Sequence, residues 1–417
     1  MKISSVKGFI KGKGNSLNSL RGIGTSSYEE GNHYAMDGIP STGERGFHAC
    51  ENPTSCFRNY PPGYAEYHEV VQGGNIDTDG DVHASTEITI GERIGAREMA
   101  EMSAEYLRNH SLRLVCEGSV VADKRRHSAE TNGDKNVSAA NGMYSLASAV
   151  GRYCVAAVTR EFSTVMTEGR RCIAAATNAF SISAAKGNNS SAVAAEEGSI
   201  ADVHGGESVS ITTGAESLSS CEGFNGIAVS TGVSSKTFAV GERCIAANTG
   251  GEGFVEANGF QSLSAATEPN TEVVTKGRLG AAVNTGSYGI ARSEGKYATT
   301  LMNGGFGSAA CSGASSTAVA TGEDSSADAN GYGSVAVTTA KASHARAVGH
   351  ASISAAFGHK GCASGSLGTW LVLAEWRKGR DGRYYIKRVK SFLVDGDKIL
   401  PDVPYKLRHG KPVCVKR

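Results

Sequence analysis

The chain has 417 residues with 42 Lys and Arg against 41 Asp and Glu, a net charge of +1, so its overall charge argues for neither nucleic-acid nor membrane binding. Gly numbers 54, Pro only 8 and aromatics are 7%, which excludes a collagen or Pro-rich disordered chain and points to a regular architecture of small residues. No apolar run follows MKISSVKGFIKGKGN and no stretch near ~18 apolar residues occurs, so a soluble intracellular chain without signal peptide or membrane helix is expected.

Residues 1–114 have ordinary composition and read as a separate α+β domain. YAEYHEVVQGG has the pattern of an aromatic-rich strand. GERIGAREMAEMSAEYLRNH reads as an amphipathic helix with Met99, Met102 and Tyr106 on one face, expected to cap the first coil of the next domain. In GFHACENPTSCF, His48, Cys50 and Cys56 are three possible metal-ligating side chains, but no fourth ligand has zinc-site spacing, so no metal is assigned. The ten cysteines (Cys50, Cys56, Cys116, Cys154, Cys172, Cys221, Cys244, Cys311, Cys362 and Cys414) form no CxxC pair and no compact disulfide framework. They are expected to be reduced, buried and structurally passive.

Stepping nine residues at a time from Gly133 to Gly358 visits 26 positions, of which 21 are Gly; the exceptions are Arg160, Asn178, Glu196, Glu268 and Ala340. Chance placement would give roughly three. Units such as GRRCIAAAT, GERCIAANT and GFQSLSAAT pair a Gly-led turn with a short strand, so 18 residues make one coil. The prediction for 115–367 is a flattened, two-sided β-solenoid of nonapeptide repeats. Its turn glycines, among them Gly214, Gly223, Gly232, Gly241, Gly250 and Gly259, are read as conformational requirements.

Alternation assigns the faces. The fourth, sixth and eighth residues of a unit are small and point inward, giving two sheets closer than the usual ~10 Å; Asn248, Asn284 and Met302 are the bulky inward exceptions, expected to form Asn ladders or to widen the coil locally. The fifth and seventh point outward. In the alternate units that begin at Gly133 these positions carry Val155, Ile173, Val193, Val209, Ile211, Ile227, Val229, Ile245, Leu263, Val283, Val319, Val335, Val337 and Ile353 without one charge, and the ninth position is mostly Thr. The other set carries Asp202, Lys236, Glu256, Glu272, Arg292, Asp328, His344 and Arg346. One sheet is therefore expected to face water and the other to be an oligomer interface, a homodimer about a two-fold axis being favoured. Some 13 strands at ~4.8 Å spacing and ~16 Å width give about 1,000 Å² of uncharged surface, beyond the ~300–600 Å² that monomers expose.

At the C-terminal end, TWLVLAEW, YYIKRVKSFLVDGDKIL and YKLRHGKPVCVKR read as a small β-meander cap over 368–417, closing the solenoid edge. From Trp370 to Arg417 there are 13 Lys and Arg against 5 Asp and Glu, or +8, which leaves −7 for the rest. The segment is read as a solvated, aggregation-blocking end, with an acidic partner or nucleic acid as the other reading.

GFHACENPTSCFRNYPP, the G-x-x-S-x-A-x-x-T nonapeptides and LGTWLVLAEW together resemble a family of uncharacterised phage and bacterial proteins. The resemblance implies the order of leading domain, nonapeptides and small β end, and a phage or prophage origin, with residence in the host cytoplasm or the virion. GERGFHACENPTSCFRNY followed by YAEYHEVVQGGNI also resembles a stretch of ADP-ribosyltransferases, with Gly46, Phe47, His48, Ser55 and Tyr60 at the matching places. The reading taken is a non-enzymatic structural or interaction protein, a rigid self-associating scaffold whose end domains engage a macromolecular partner, with no catalytic, cofactor-binding or metal residue. Its alternatives are an NAD-using N-terminal transferase and an ice-binding solenoid that displays its Thr column. Calcium of the RTX type is disfavoured because the units lack the required Asp.

Overall fold

The computed structural model describes residues 3–11, 17–18, 27–63 and 65–415; Tyr64 of the aromatic strand and Lys416 and Arg417 of the basic end lie outside the described residues. The fold is mainly β, an N-terminal sheet domain followed by a β-solenoid of about 15 turns with roughly 18 residues per coil. The chain forms two compact units, Met1–Gly223 with Ile227–Lys236, and Phe224–Gly226 with Thr237–Arg417.

In the first unit, an antiparallel sheet places Ala65–Asp79 between Ile3–Lys11 and Val82–Ile94, and Val82–Ile94 also pairs with Phe47–Cys50 and His33–Ala35. Alternation puts Phe9, Val70, Ile88 and Ile90 in one apolar cluster with Tyr28 and Ala49. The helix Ala96–His110 follows, started by the Glu98 carboxylate, which accepts from the Gly95 N–H at 2.9 Å, and finished by Arg108 and His110 in the last turn, where positive charge suits the helix dipole. Ser111 is extended and ends it.

This helix does not cap the first coil. It lies across the strands Leu146–Val150, Thr164–Glu168, Ile182–Lys186 and Ile200–His204. Met99, Ala100, Cys56, Phe57 and Tyr67 pack with Ile182, Ala184, Ile200, Met166 and Leu218, and Ser103 Oγ bonds Thr164 Oγ1 at 2.7 Å. The reason lies in the outward positions of these early coils, which carry Leu146, Met166, Ile182, Ile200 and Leu218 and form an apolar shelf along a face, not at an end. The solenoid itself opens at Leu112–Cys116, which pairs in parallel with His127–Asn132. Equivalent residues then stack 18 apart, as in Val155↔Ile173↔Ser191↔Val209↔Ile227 and Leu146↔Thr164↔Ile182↔Ile200↔Leu218.

The second unit repeats the register, with Ile245↔Leu263↔Ala281↔Thr299↔Thr317↔Val335↔Ile353 on one sheet. The C-terminal segment grows out of both sheets. Trp370–Lys378 pairs in parallel with Ile353–Ala356 and then antiparallel with Tyr384–Leu393, while Tyr405–Arg408 bridges antiparallel to Cys362–Gly365 and pairs with Lys411–Cys414. Leu371, Leu373, Val394, Ile399, Tyr405 and Leu407 close its core.

Two features set the corners. The third residue of nearly every unit is left-handed, from Lys135 (φ 62°) to Lys360 (φ 64°), so the turn conformation falls on residues as different as Tyr144, Phe162, Arg243 and Ser315. The leading Gly answers a different demand. In the units counted from Gly133 to Gly295 in steps of 18, its φ lies between 115 and 159°, a region L side chains avoid. In both sets a Cβ there would overlap the carbonyl of the residue one coil earlier, as for Gly169 against Gly151 or Gly232 against Gly214. All five non-Gly exceptions fall in the other set, whose leading glycines need no such φ.

Candidate functional site

The uncharged columns predicted from alternation lie outward on one sheet. In the first unit Val155, Val193, Val209, Ile211, Ile227 and Val229 are half-buried and Ile173 is exposed. In the second, Leu263, Val283, Val319, Val335 and Val337 are half-buried, and Ile245 and Ile353 are exposed. The alternate residues of the same strands, such as Ala156, Ala174, Ala228 and Ala336, are fully buried, which is the two-residue period of a strand with one face in a core. Of the thirteen outward pairs on this sheet none holds a charge, and Ser191, Thr299 and Thr317 are their only polar members.

The opposite sheet differs from the expectation of a simple water-facing surface. In the first unit the N-terminal domain covers it. Asp202, counted among the solvated charges, is buried beside His204, whose Nε2 lies 2.9 Å from Asp202 Oδ2 and whose Nδ1 lies 2.9 Å from Glu222 Oε2. The hydrogen-bonded Asp202 carboxylate, with help from Glu222, raises His204 above the usual imidazole range. Lys236 is engaged as well, its ammonium donating to the Ala65 carbonyl at 3.2 Å. In the second unit some charges of this sheet pair between neighbouring coils, Lys276 with Glu256 and Arg292 with Glu272, each at 2.9 Å, while Arg346 faces Asp402 of the C-terminal segment.

Each predicted turn glycine stands at a corner. Cβ atoms at Gly214, Gly223, Gly232 and Gly259 would strike the backbone one coil earlier, Gly241 has φ 134°, and Gly250 donates its N–H to Asn248 Oδ1 at 2.6 Å. Beside the corners runs a ladder of buried hydroxyls at the fourth position. Ser163 Oγ donates to the Gly142 carbonyl at 3.1 Å and accepts from the Ser145 N–H at 3.2 Å, and Ser181, Ser199 and Ser217 repeat the pattern. Cys154 and Cys172 occupy the same place, their thiols directed at the carbonyls of Gly133 and Gly151 at 3.2 and 3.1 Å. Several threonines of the ninth position spend their hydroxyls on the coil below, Thr159 on Asn141 at 3.0 Å and Thr321 on Asn303 at 2.6 Å.

The GFHACENPTSCF segment is held by hydrogen bonds to its own and neighbouring chain segments. His48 accepts from the Gly43 N–H through Nε2 and bonds the Gly46 carbonyl through Nδ1, both at 3.0 Å, so both ring nitrogens are engaged. Ser55 donates to Asp81, Tyr67 donates to the Tyr60 carbonyl, and Cys56 donates to the Val6 carbonyl. Among the described residues no group of three His, Cys, Asp or Glu is arranged to hold a metal. Sequence reasoning missed Lys7, which is buried against Cys50, Cys56 and the rings of Phe9 and Tyr60 and donates to the His48 carbonyl at 2.9 Å. Burial lowers its pKa to about 8. Its only signal was a lone Lys between the apolar residues Val6 and Phe9.

The expectation of ten buried thiols fails at three positions, in the first solenoid strand, a late coil and the last strand. All ten are unbridged and seven are buried, but Cys116 and Cys414 are exposed and Cys362 is intermediate. Cys116 ends the first strand of the solenoid, Leu112–Cys116, all of whose side chains are exposed, and Cys414 belongs to the last strand.

Among the described residues no helix is long and apolar enough to cross a membrane. Comparison with known proteins matches residues 6–102 to a domain of unknown function, DUF7666, a span that ends inside the helix covering the solenoid. No curated protein and no solved structure matches the chain.

Proposed function

We propose that the protein is a non-enzymatic scaffold, a phage-type β-solenoid that self-associates through its uncharged sheet and presents its end domains to a macromolecular partner, as a virion component or a host-directed factor. The observation that carries this reading is the contrast between the two sheets. One is covered by the N-terminal domain in the first unit and laced by ion pairs in the second, whereas the other keeps uncharged, half-exposed Val, Ile and Leu columns in both. Roughly 1,000 Å² of such surface exceeds what soluble monomers expose, and a self-complementary patch on a second copy covers it with one closed symmetry.

Ile227→Asp combined with Val229→Asp would bury unpartnered charges in that contact, at several kcal/mol. Light scattering should find this variant monomeric, while Ala310→Asp on the other sheet leaves the mass unchanged. A double variant of unaltered mass and stability contradicts the proposal.

A further inference from the structure

The overall charge of +1 conceals a segregated cation field within the second unit. Between the hairpin of Trp370–Lys378 and Tyr384–Leu393 and the strand Tyr405–Arg408 lies a cavity of about 450 Å³, within the ~300–1,000 Å³ range of ligand pockets. Its wall carries Lys360, Lys406, Arg408, His359 and His409, with Glu375 as its one carboxylate. Glu375 is already committed, accepting from the Gly410 N–H at 2.8 Å and pairing with Arg388 at 3.3 Å and Lys387 at 3.7 Å. Lys360, Lys406 and Arg408 make no ion pair among the described residues. Of the other four acids of the C-terminal segment, three are engaged: Asp381 accepts from the Arg383 N–H at 3.1 Å, Asp395 caps the N–H groups of Asp397, Lys398 and Ile399, and Asp402 faces Arg346.

Aromatic rings stand among these cations. Trp376 lines the cavity and is fixed by its indole N–H, which donates to the Phe357 carbonyl at 2.8 Å. His359 lies 4.1 Å from the Tyr384 ring, tilted by 31°, and Tyr384 is about half exposed, at 49%. Burial, and then the charges of Lys360 and Lys341, hold His359 below its usual value, so the ring remains a neutral stacking surface at physiological pH. The exposed Arg377, Lys378, Arg380 and Arg383 extend the basic surface along the hairpin end.

We propose that this C-terminal cleft binds single-stranded nucleic acid, with phosphates on Lys360, Lys406 and Arg408 and a base against the Tyr384 and Trp376 rings. Unpaired cations recognise any polyanion, but the interleaved rings add a surface that only a ligand with planar groups uses, and together they are the two components of single-strand recognition. A duplex keeps its bases stacked inside and cannot offer them to a cleft of this size.

The test is fluorescence anisotropy of the full-length chain with a labelled oligo(dT) of about a dozen nucleotides. Three phosphate contacts predict affinity falling with a log–log salt slope near −2, roughly 20-fold between about 50 and 200 mM salt. Lys406→Glu with Arg408→Glu should weaken binding at least ~10-fold, Tyr384→Ala at least ~5-fold, and Lys296→Glu on the solenoid not at all. If the double charge variant melts early, Arg408→Gln alone must still weaken binding and flatten the salt slope. The proposal is overturned if oligo(dT) does not bind saturably, if a duplex of equal length binds more tightly, or if Tyr384→Ala binds as the wild type does and heparin competes as it would for a bare charged surface.

Discussion

Met302 and Gly307 form a fitted pair inside the second unit: a Cβ at Gly307 would stand 2.8 Å from both Cγ and Sδ of Met302. The same offset of five residues recurs at Asn284 with Gly289, where a Cβ would lie 2.8 Å from the Asn284 Cγ, and at Thr275 with Gly280, where it would lie 2.5 Å from the Thr275 Cγ2. A larger inward residue at the eighth position is thus accommodated by removing the side chain at the fourth position of the next unit. Asn284 needs no ladder of other Asn residues, because its amide donates to the Thr271 and Ile290 carbonyls and accepts from the Gly286 N–H.

This pairing predicts a coupled double mutant. Gly307→Ala alone should destabilise by about 1–3 kcal/mol through overpacking, and Met302→Ala alone by about 2–5 kcal/mol through the cavity it leaves. Together they should cost less than their sum by at least ~0.5 kcal/mol, read from denaturant unfolding, because each relieves the other. Strict additivity would show that the two side chains do not share space.

Corner glycines should be unequal to glycines beside them. Gly232 faces the Gly214 carbonyl one coil below, whereas a Cβ at Gly251 would meet its first neighbour, the Pro269 carbonyl oxygen, at an ordinary 3.5 Å. Gly232→Ala is expected to lose at least ~2 kcal/mol, and Gly251→Ala to stay within ~0.5 kcal/mol. Equal shifts in melting temperature would refute the close-approach account of the nonapeptide period.

Thiol titration should resolve two classes in the native protein. Cys116 and Cys414 react rapidly, and the other eight wait for unfolding, Cys362 first among them. Burial raises the thiol pKa of Cys172 and Cys362, and that of Cys311 to about 11, which suppresses their thiolates further. Replacing Cys116 and Cys414 by Ser should abolish the fast phase.

Lys7 predicts a rise of stability in alkali. The unfolded chain keeps this proton up to about pH 10.5 while the folded state releases it near 8, so between those values the unfolded state binds more protons and unfolding becomes harder as pH rises. The increment is on the order of 3 kcal/mol across the window. Other buried groups titrate there in the opposite sense, so the measurement is the difference between wild type and Lys7→Met in urea unfolding at pH 7 and pH 10. The wild type should gain on the variant as pH increases, and parallel curves would show that Lys7 is not charged at a cost in the folded state.

How much of this was legible follows from what repeats. The coil length, the two faces and the inward small residues could be read because Gly recurs in one frame and side chains alternate in every unit. The uncharged columns from Val155 to Ile353 emerged from the same frame. The docking of the N-terminal domain did not, although Leu146, Met166, Ile182, Ile200 and Leu218 mark it. Those residues share their set with Lys236 and Glu256, so averaged over all units the face reads as charged, and chain adjacency points to an end cap for the helix. The left-handed third residue was invisible because no residue type is reserved for it. The C-terminal cleft joins His359 and Lys360 to Trp376 and Lys406 across a chain reversal that no local pattern specifies.

Coverage of the uncharged sheet by a second copy doubles the mass of the particle in solution, which sedimentation equilibrium of the wild-type chain reads without any substitution. The chain mass is 43.1 kDa. The expected result is a species of twice that mass, persisting on dilution to about 1 μM, the dissociation constant of a complex worth ~8 kcal/mol. A single species of 43.1 kDa at concentrations a hundred-fold above that would contradict it.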